Sequence, residues 1–302
     1  MKLAILQFKP RKGEIDANLA VLGEAFAQLA GEEKDYDLIV LPEAALTGYF
    51  LEGAVYELAQ DAEALAARLA ALWRERSAKN RPVDIAIGFY ENAAGTYYNA
   101  AMYLRVTPDA HEIVHLHRKM FLATYGVFDE ERFLSRGRRI QAFDTRFGRM
   151  ALLICEDAWH AIMPTIAAIK GARALIVPSA SPGRGLAGDG ELESVRYWRE
   201  ILHAYAVEHG VYIFYAGLAG FEGGKGMTGS SRVVDPRGQT LAEGPELDAC
   251  VIRAEIDFRE VDLARASLPL LGDLNAVLPD LLLDEELLPT LGRDVLGAKV
   301  QW

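Results

Sequence analysis

Leu152-Leu153-Ile154-Cys155-Glu156-Asp157 is an apolar run that ends abruptly on a thiol and two acids. Such a run reads as a buried strand, and the change of character at Cys155 marks where the strand stops. The same pattern occurs twice earlier in the chain. Leu38-Ile39-Val40-Leu41-Pro42-Glu43 runs into a carboxylate, and His115-Leu116-His117-Arg118-Lys119 runs into an ammonium. Strand ends are where α/β sheets gather ligands, because a stiff element delivers its last side chain into a crevice. Three strand ends thus carry a nucleophile, a base and a cation.

Working outward, residues 3–8 predict a short buried strand. Residues 14–30 predict a helix with Ile15, Leu19, Leu22, Phe26 and Leu29 on one face. A strand over 37–41 stops at Pro42, and a helix over 55–79 carries Leu58, Leu65, Leu69 and Leu72 as its stripe. The period then changes, and 83–90, 97–104 and 112–117 read as consecutive strands. Residues 140–143 and 150–154 read as a hairpin around Arg146-Phe147-Gly148-Arg149. Helix 162–169, strand 174–177, helix 191–209 and strand 211–217 restore the strand–helix alternation. Strands 230–234 and 249–256 follow, separated by the turn Asp235-Pro236-Arg237-Gly238. Alternation of this kind implies an α/β layered domain. No linker-like stretch divides the chain, so one domain is expected over 1–266. Residues 267–302, rich in Leu, Pro and Asp, are expected to lie on that domain or on a partner subunit, with Leu281 to Leu291 suited to an intersubunit contact.

Composition excludes several functions. Of 302 residues, 51% are hydrophobic and 25% charged, which suits a globular chain with a sizeable core. A net charge of −11 repels phosphate backbones and argues against nucleic acid, and Arg136-Gly137-Arg138-Arg139 reads as a solvated loop. No apolar run approaches the roughly 20 residues that span a bilayer, and no secretory leader is expected at the start. Cys155 and Cys250 lack both a disulfide framework and metal-ligand spacing, with Cys250 expected in the core. These features predict a cytoplasmic protein.

A thiol of pKa about 8.5 is mostly protonated at neutral pH and needs a base or a cation nearby to react. A buried carboxylate can take that proton, and an ammonium can stabilise the oxyanion formed when sulfur attacks a carbonyl. Together with their surroundings, the three blocks resemble the nitrilase, or carbon–nitrogen hydrolase, superfamily and its Glu–Lys–Cys triad. They stand as Leu41-Pro42-Glu43-Ala44-Ala45-Leu46-Thr47-Gly48-Tyr49, His117-Arg118-Lys119 and Ile154-Cys155-Glu156-Asp157-Ala158-Trp159, with a supporting block at Gly229-Ser230-Ser231-Arg232-Val233-Val234-Asp235-Pro236-Arg237-Gly238.

The resemblance implies a four-layer α-β-β-α sandwich that pairs as a homodimer or a higher homo-oligomer. It implies Glu43 as general base, Lys119 as oxyanion cation, Cys155 as acylated nucleophile and the backbone N–H of Glu156 as second oxyanion donor. A second glutamate is expected between lysine and cysteine, at Glu130 with Glu131 as the alternative. Residues 125–130 and the Cys155 block are similar to the glutaminase domain of glutamine-dependent NAD synthetase. That likeness places Tyr49 and Tyr125, each six positions after its triad residue, in a substrate pocket. Trp159, Ser179 and Ser181 are further candidate pocket residues. No ATP-pyrophosphatase loop follows residue 266.

Other motifs are weaker. The run from Gly220 to Gly229 misses phosphate-loop spacing, because Gly226 follows Lys225, and is expected to be a flexible active-site loop. His115 and His117 alternate on one strand, but no acid or cysteine set completes a metal site. No nucleophile elbow surrounds Ser179 or Ser181. The expected protein is therefore a cofactor-independent hydrolase of a small amide, with no metal. Two other roles compete: a glutaminase subunit feeding ammonia to a separate synthetase, and a catalytically silent binding protein.

Overall fold

Strand alternation and helical spacing resolve into two six-stranded sheets, each with its own helical cover. The computed structural model describes residues 1–33, 35–77, 81–186, 188 and 190–283. Its strands are β1 Lys2–Gln7, β2 Leu38–Val40, β3 Val83–Ala93, β4 Thr96–Val106, β5 His111–Arg118, β6 Ala142–Thr145 and β7 Gly148–Leu152, then β8 Ala174–Ser179, β9 Tyr212–Gly217, β10 Ala219–Glu222, β11 Lys225–Thr228, β12 Arg232–Val234, β13 Thr240–Glu243 and β14 Cys250–Glu255. The helices are α1 Ile15–Gly31, α2 Val55–Leu58, α3 Ala62–Arg76, α4 Ile162–Ile169, α5 Glu193–His209, α6 Arg259–Ser267 and α7 Leu270–Leu282.

The first sheet has the order β14-β1-β2-β3-β4-β5 and the second β13-β12-β9-β8-β7-β6, with a separate β10–β11 hairpin. In the first sheet β1, β2 and β3 are parallel, and in the second β7, β8 and β9 are. Because β4 is antiparallel to both β3 and β5, β5 runs with β2. The segments leading to Glu43 and Lys119 therefore finish at the same end of the first sheet.

Alternate faces of the strands go to different cores, as the strand period of two requires. Leu6, Ile39, Ile85 and Ile87 pack with Leu22 and Phe26 of α1 and with Leu69 and Trp73 of α3. Leu3, Ile5, Leu38, Val40 and Tyr103 share a second cluster with Leu152, Ile176 and Phe214 of the other sheet and with Trp198 and Leu202 of α5. The result is a helix–sheet–sheet–helix sandwich. Each buried Leu- or Phe-sized side chain contributes about 1.5–3 kcal/mol to holding the layers together.

Several expectations change. The helix over 55–79 is broken: α2 ends at Leu58, and Gln60 bridges to Glu91 of β3. Asp61 then caps α3 by accepting the N–H of Ala64, and α3 ends at Arg76. The glycine run from 220 to 229 is the ordered β10–β11 hairpin rather than a loose loop. Strand β13 had no apolar signal because it is largely exposed and pairs only with β12 within its sheet. Cys250 is half-buried on an edge strand, not in the core. Helix α7 packs on α4, α5 and α6, while residues 284–291 of the expected intersubunit segment lie outside the described residues. No helix among the described residues is long and apolar enough to cross a membrane.

Candidate active site

Glu43 follows β2 on a loop laid directly over β3. A Cβ at Gly88 would come within 2.5 Å of the Glu43 Cα, so only glycine allows that approach. The next residue, Ala44, takes the left-handed conformation (φ 51°), turning the chain immediately after the carboxylate. Lys119 follows β5 and is fixed in the same manner. Gly137 N–H donates to the Lys119 carbonyl at 2.7 Å, and a Cβ on Gly137 would lie 1.9 Å from the Arg118 oxygen.

The two side chains meet in a buried cluster. Lys119 Nζ donates to Glu43 Oε1 at 2.8 Å and to Glu130 Oε2 at 2.8 Å. Asn99 of β4 binds both acids, its Nδ2 donating to Glu43 Oε1 at 2.6 Å and Glu130 Oε1 at 2.7 Å. The second oxygen of Glu43 accepts the Ala180 N–H at 2.7 Å, and Glu130 Oε2 accepts that of Ala123 at 2.7 Å. Lys119 and Glu43 are wholly buried, and Glu130 nearly so. Burial pushes the Glu43 carboxyl above its ordinary value; Lys119 opposes this and Glu130 adds to it, and the net shift is upward. Burial works against the Lys119 ammonium, but Glu130 and Glu43 hold its pKa well above the usual lysine value. Glu131, by contrast, has an exposed side chain, and only its backbone N–H is engaged, donating to Thr124 Oγ1.

Cys155 comes from the second sheet. It sits just past β7 with φ 44°, a conformation that costs an L residue of this kind on the order of 1–2 kcal/mol. Asp157 holds that turn in place: Oδ2 accepts the Ile154 N–H and the His117 Nε2–H, while Oδ1 accepts the N–H groups of Met120 and Phe121. One wholly buried carboxylate therefore ties the thiol's turn to the segment just beyond Lys119. Cys155 is 7% exposed, and Ser179 Oγ donates to its Sγ at 3.2 Å. Burial, then the charge of Glu43, pushes the thiol pKa up, against smaller effects of Lys119 and Ser179.

The remaining candidates lie at varied distances from this centre. The Tyr49 ring is 5.7 Å from Lys119 Nζ and edge-on to Phe128. Its loop is held by Glu222 of β10, whose Oε2 accepts the N–H groups of Tyr49 and Phe50 at 2.9 and 3.1 Å. Tyr49, Tyr90 and Glu130 line a cavity of about 280 Å³, with Lys225 also on its wall. Tyr125 is half-exposed and donates to Glu156 Oε2 at 3.0 Å. Trp159 packs edge-on to Trp198, and the Ser181 carbonyl accepts from Thr228 N–H. No hydrogen bond or ring contact among the described residues joins Trp159 or Ser181 to Glu43, Lys119 or Cys155.

Sequence reasoning assigned no part to Asn99, His117, Asp157 or Glu222. Asn99 had a faint signal as a lone amide at the start of an apolar strand. Asp157 and His117 stood inside the quoted blocks, but their partners are forty residues apart. His115 takes a different path, stacking on Phe143 at 4.4 Å, and among the described residues no group of three ligand-type side chains is close enough to hold a metal.

Chemically, the arrangement offers a protonated thiol beside a buried carboxylate of raised pKa and a fixed ammonium. The family model for carbon–nitrogen hydrolase matches residues 2–266. The 2-oxoglutaramate amidase of Bacillus subtilis is 28% identical over 90% of this chain and 96% of its own length. The glutamine-dependent NAD(+) synthetase of Thermotoga maritima is 26% identical over 86% of this chain, which spans only 42% of that relative. The crystal structure of a carbon–nitrogen hydrolase from Helicobacter pylori superposes with TM-score 0.82 at 24% identity, covering 94% of this chain and 99% of that one.

Proposed function

We propose that this chain, which belongs to the carbon–nitrogen hydrolase family, hydrolyses the amide of a small substrate through a thioester on Cys155. The observation that carries this reading is the buried Glu43–Lys119–Glu130 cluster linked to the Cys155 thiol by adjacent residues at the end of β8, Ala180 N–H bonding Glu43 and Ser179 Oγ bonding Sγ.

In the first half-reaction Cys155 Sγ attacks the amide carbon as Glu43 takes the thiol proton. The oxyanion is held by Lys119 Nζ and by the backbone N–H of Glu156. Lys119 Nζ donates to Glu43 and to both oxygens of Glu130, which fixes the direction of the ammonium. The C–N bond breaks, and Glu43 gives its proton to the departing ammonia or amine. In the second half a water loses its proton to Glu43 and attacks the thioester. The C–S bond breaks, and the proton returns to sulfur. Glu130 and Asn99 act by holding base and cation in place, since both bind Glu43 or Lys119 directly. Tyr49 and Tyr125 are read as walls of the substrate pocket.

The same reading takes the protein as a cytoplasmic homodimer or higher homo-oligomer. Exposed Ile162, Leu281 and Leu282 are apolar surface that supports a covering partner. A second role, delivery of ammonia from glutamine to a separate synthetase, is favoured by the partial-length match to the NAD(+) synthetase. Ammonia release from a panel of small amides, ω-amides, N-carbamoyl compounds and glutamine, run alongside Cys155→Ala, decides between them. Turnover of several simple amides supports the free-standing enzyme, and glutamine alone supports the ammonia donor. Undiminished hydrolysis by Cys155→Ala would refute both.

A further inference from the structure

Behind the thiol, on the second sheet, lies a polar set that the triad chemistry leaves unused. Ser179 ends β8, Tyr215 lies on β9 and Arg232 on β12, and β-ladder pairing sets Arg232 opposite Tyr215 and Val177 beside it. Ser179, two residues beyond Val177, points to the same face of the sheet as Tyr215. All three side chains are buried, Ser179 and Arg232 completely. Polar groups this deep are costly unless they satisfy one another, so a line of them beside a nucleophile needs a reason.

Hydrogen counting gives one. A serine hydroxyl has one proton, and Ser179 commits it to Cys155 Sγ at 3.2 Å. Tyr215 lies on the neighbouring strand and on the same face of the sheet, wholly buried. Its ring is packed against Trp198 at 4.9 Å, and Trp198 packs on Trp159 of the Cys155 turn at 5.0 Å. The backbone repeats the arrangement, since Ala180 N–H, one residue on, holds Glu43 Oε2 at 2.7 Å. The end of β8 thus touches the thiol and its base together.

We propose that Ser179 is a positioning residue for Cys155, donating to the sulfur as its proton leaves for Glu43. The inference rests on Cys155 being the nucleophile. A hydrogen bond to sulfur favours thiolate over thiol. The other charged groups bearing on the thiol are Glu43, Glu156 and Lys119; the two acids favour the protonated form and the ammonium the thiolate.

The test measures the rate of Cys155 alkylation by iodoacetamide against pH in the full-length chain, with Cys155→Ala subtracting labelling at Cys250. Turnover of the best amide found in the panel is measured beside it. Ser179→Ala should slow alkylation about tenfold across the neutral range, the effect of one pK unit on the thiolate fraction. Ser179→Thr, which keeps the hydroxyl, should restore it to within about threefold. An alkylation profile for Ser179→Ala that superimposes on the parent overturns the proposal. Loss of amide hydrolysis on its own bears on the proposed function, since the alkylation rates are read without any substrate.

Discussion

The two sheets contribute to the site in opposite ways. The first brings charge: two carboxylates and an ammonium, buried and bound by several partners apiece. The second brings a neutral thiol on a left-handed turn, with a single side-chain donor. Ionic groups survive burial only when each finds partners, which explains the dense bonding on the first sheet. Burial and the charge of Glu43 push the thiol pKa up, so the protonated form is favoured there. The contrast teaches that the first sheet holds its buried groups by mutual ion pairs and hydrogen bonds, while the second presents a thiol whose main support is the geometry of its turn.

The largest test of the contrast is Cys155→Ala. Turnover should fall by about 10⁴-fold or more, with circular dichroism and melting nearly unchanged, because the thiol holds no other element in place. On the first sheet the reverse balance holds. Lys119→Met should cost about 3–5 kcal/mol of stability, since it strands two buried carboxylates, and urea midpoints would record it. The sign follows from the raised lysine pKa: that stabilisation is whole below the unfolded lysine value and is lost only as pH rises through the folded one. The parent–variant gap should therefore be flat near neutrality and close in alkali. A gap under about 1 kcal/mol would mean the cluster is not the ionic unit described here.

The pH profile sharpens the comparison further. Glu43, raised by burial, protonates at higher pH than a free glutamate, so the acid limb of kcat/KM should lie above the usual carboxylate value near 4.3 and fall about tenfold per unit below it. Preference for the protonated form also means that Glu43 contributes stability below its unfolded value and loses that contribution as pH climbs through the folded one. A limb at the ordinary glutamate value would contradict the burial argument. Smaller still, Glu222→Gln should cost about 1–3 kcal/mol by weakening the charged hydrogen bonds to Tyr49 and Phe50, and should raise KM more than it lowers kcat. Tyr125→Phe removes one half-exposed hydrogen bond and should change kcat/KM by less than about fivefold, the scale of roughly 1 kcal/mol.

Much of this was readable beforehand, and the limits have physical causes. The runs ending at Glu43, Lys119 and Cys155 are legible because a buried strand must be apolar and its end must turn polar. The Ala–Leu–Glu pattern of 55–79 continues across Gln60, but the bridge to Glu91 there outweighs local propensity and breaks the helix. The hairpin at 219–228 is hidden because glycines report freedom of the backbone, not the strand pairing that orders it. Glu130 and Glu131 are neighbours of one chemistry, and only burial separates them.

Local chemistry, then, is written along the chain: which stretches alternate, where each strand stops, and which side chain stands at the stop. Convergence is not. Lys119 reaches Glu43 across 76 positions and Ala180 reaches it across 137, distances closed only by the order of strands in two sheets and the packing between them. Asn99 and Asp157 gain their parts at that same stage. A polar side chain acquires a function from the partners that surround it, and those partners exist only once the two sheets have been laid face to face.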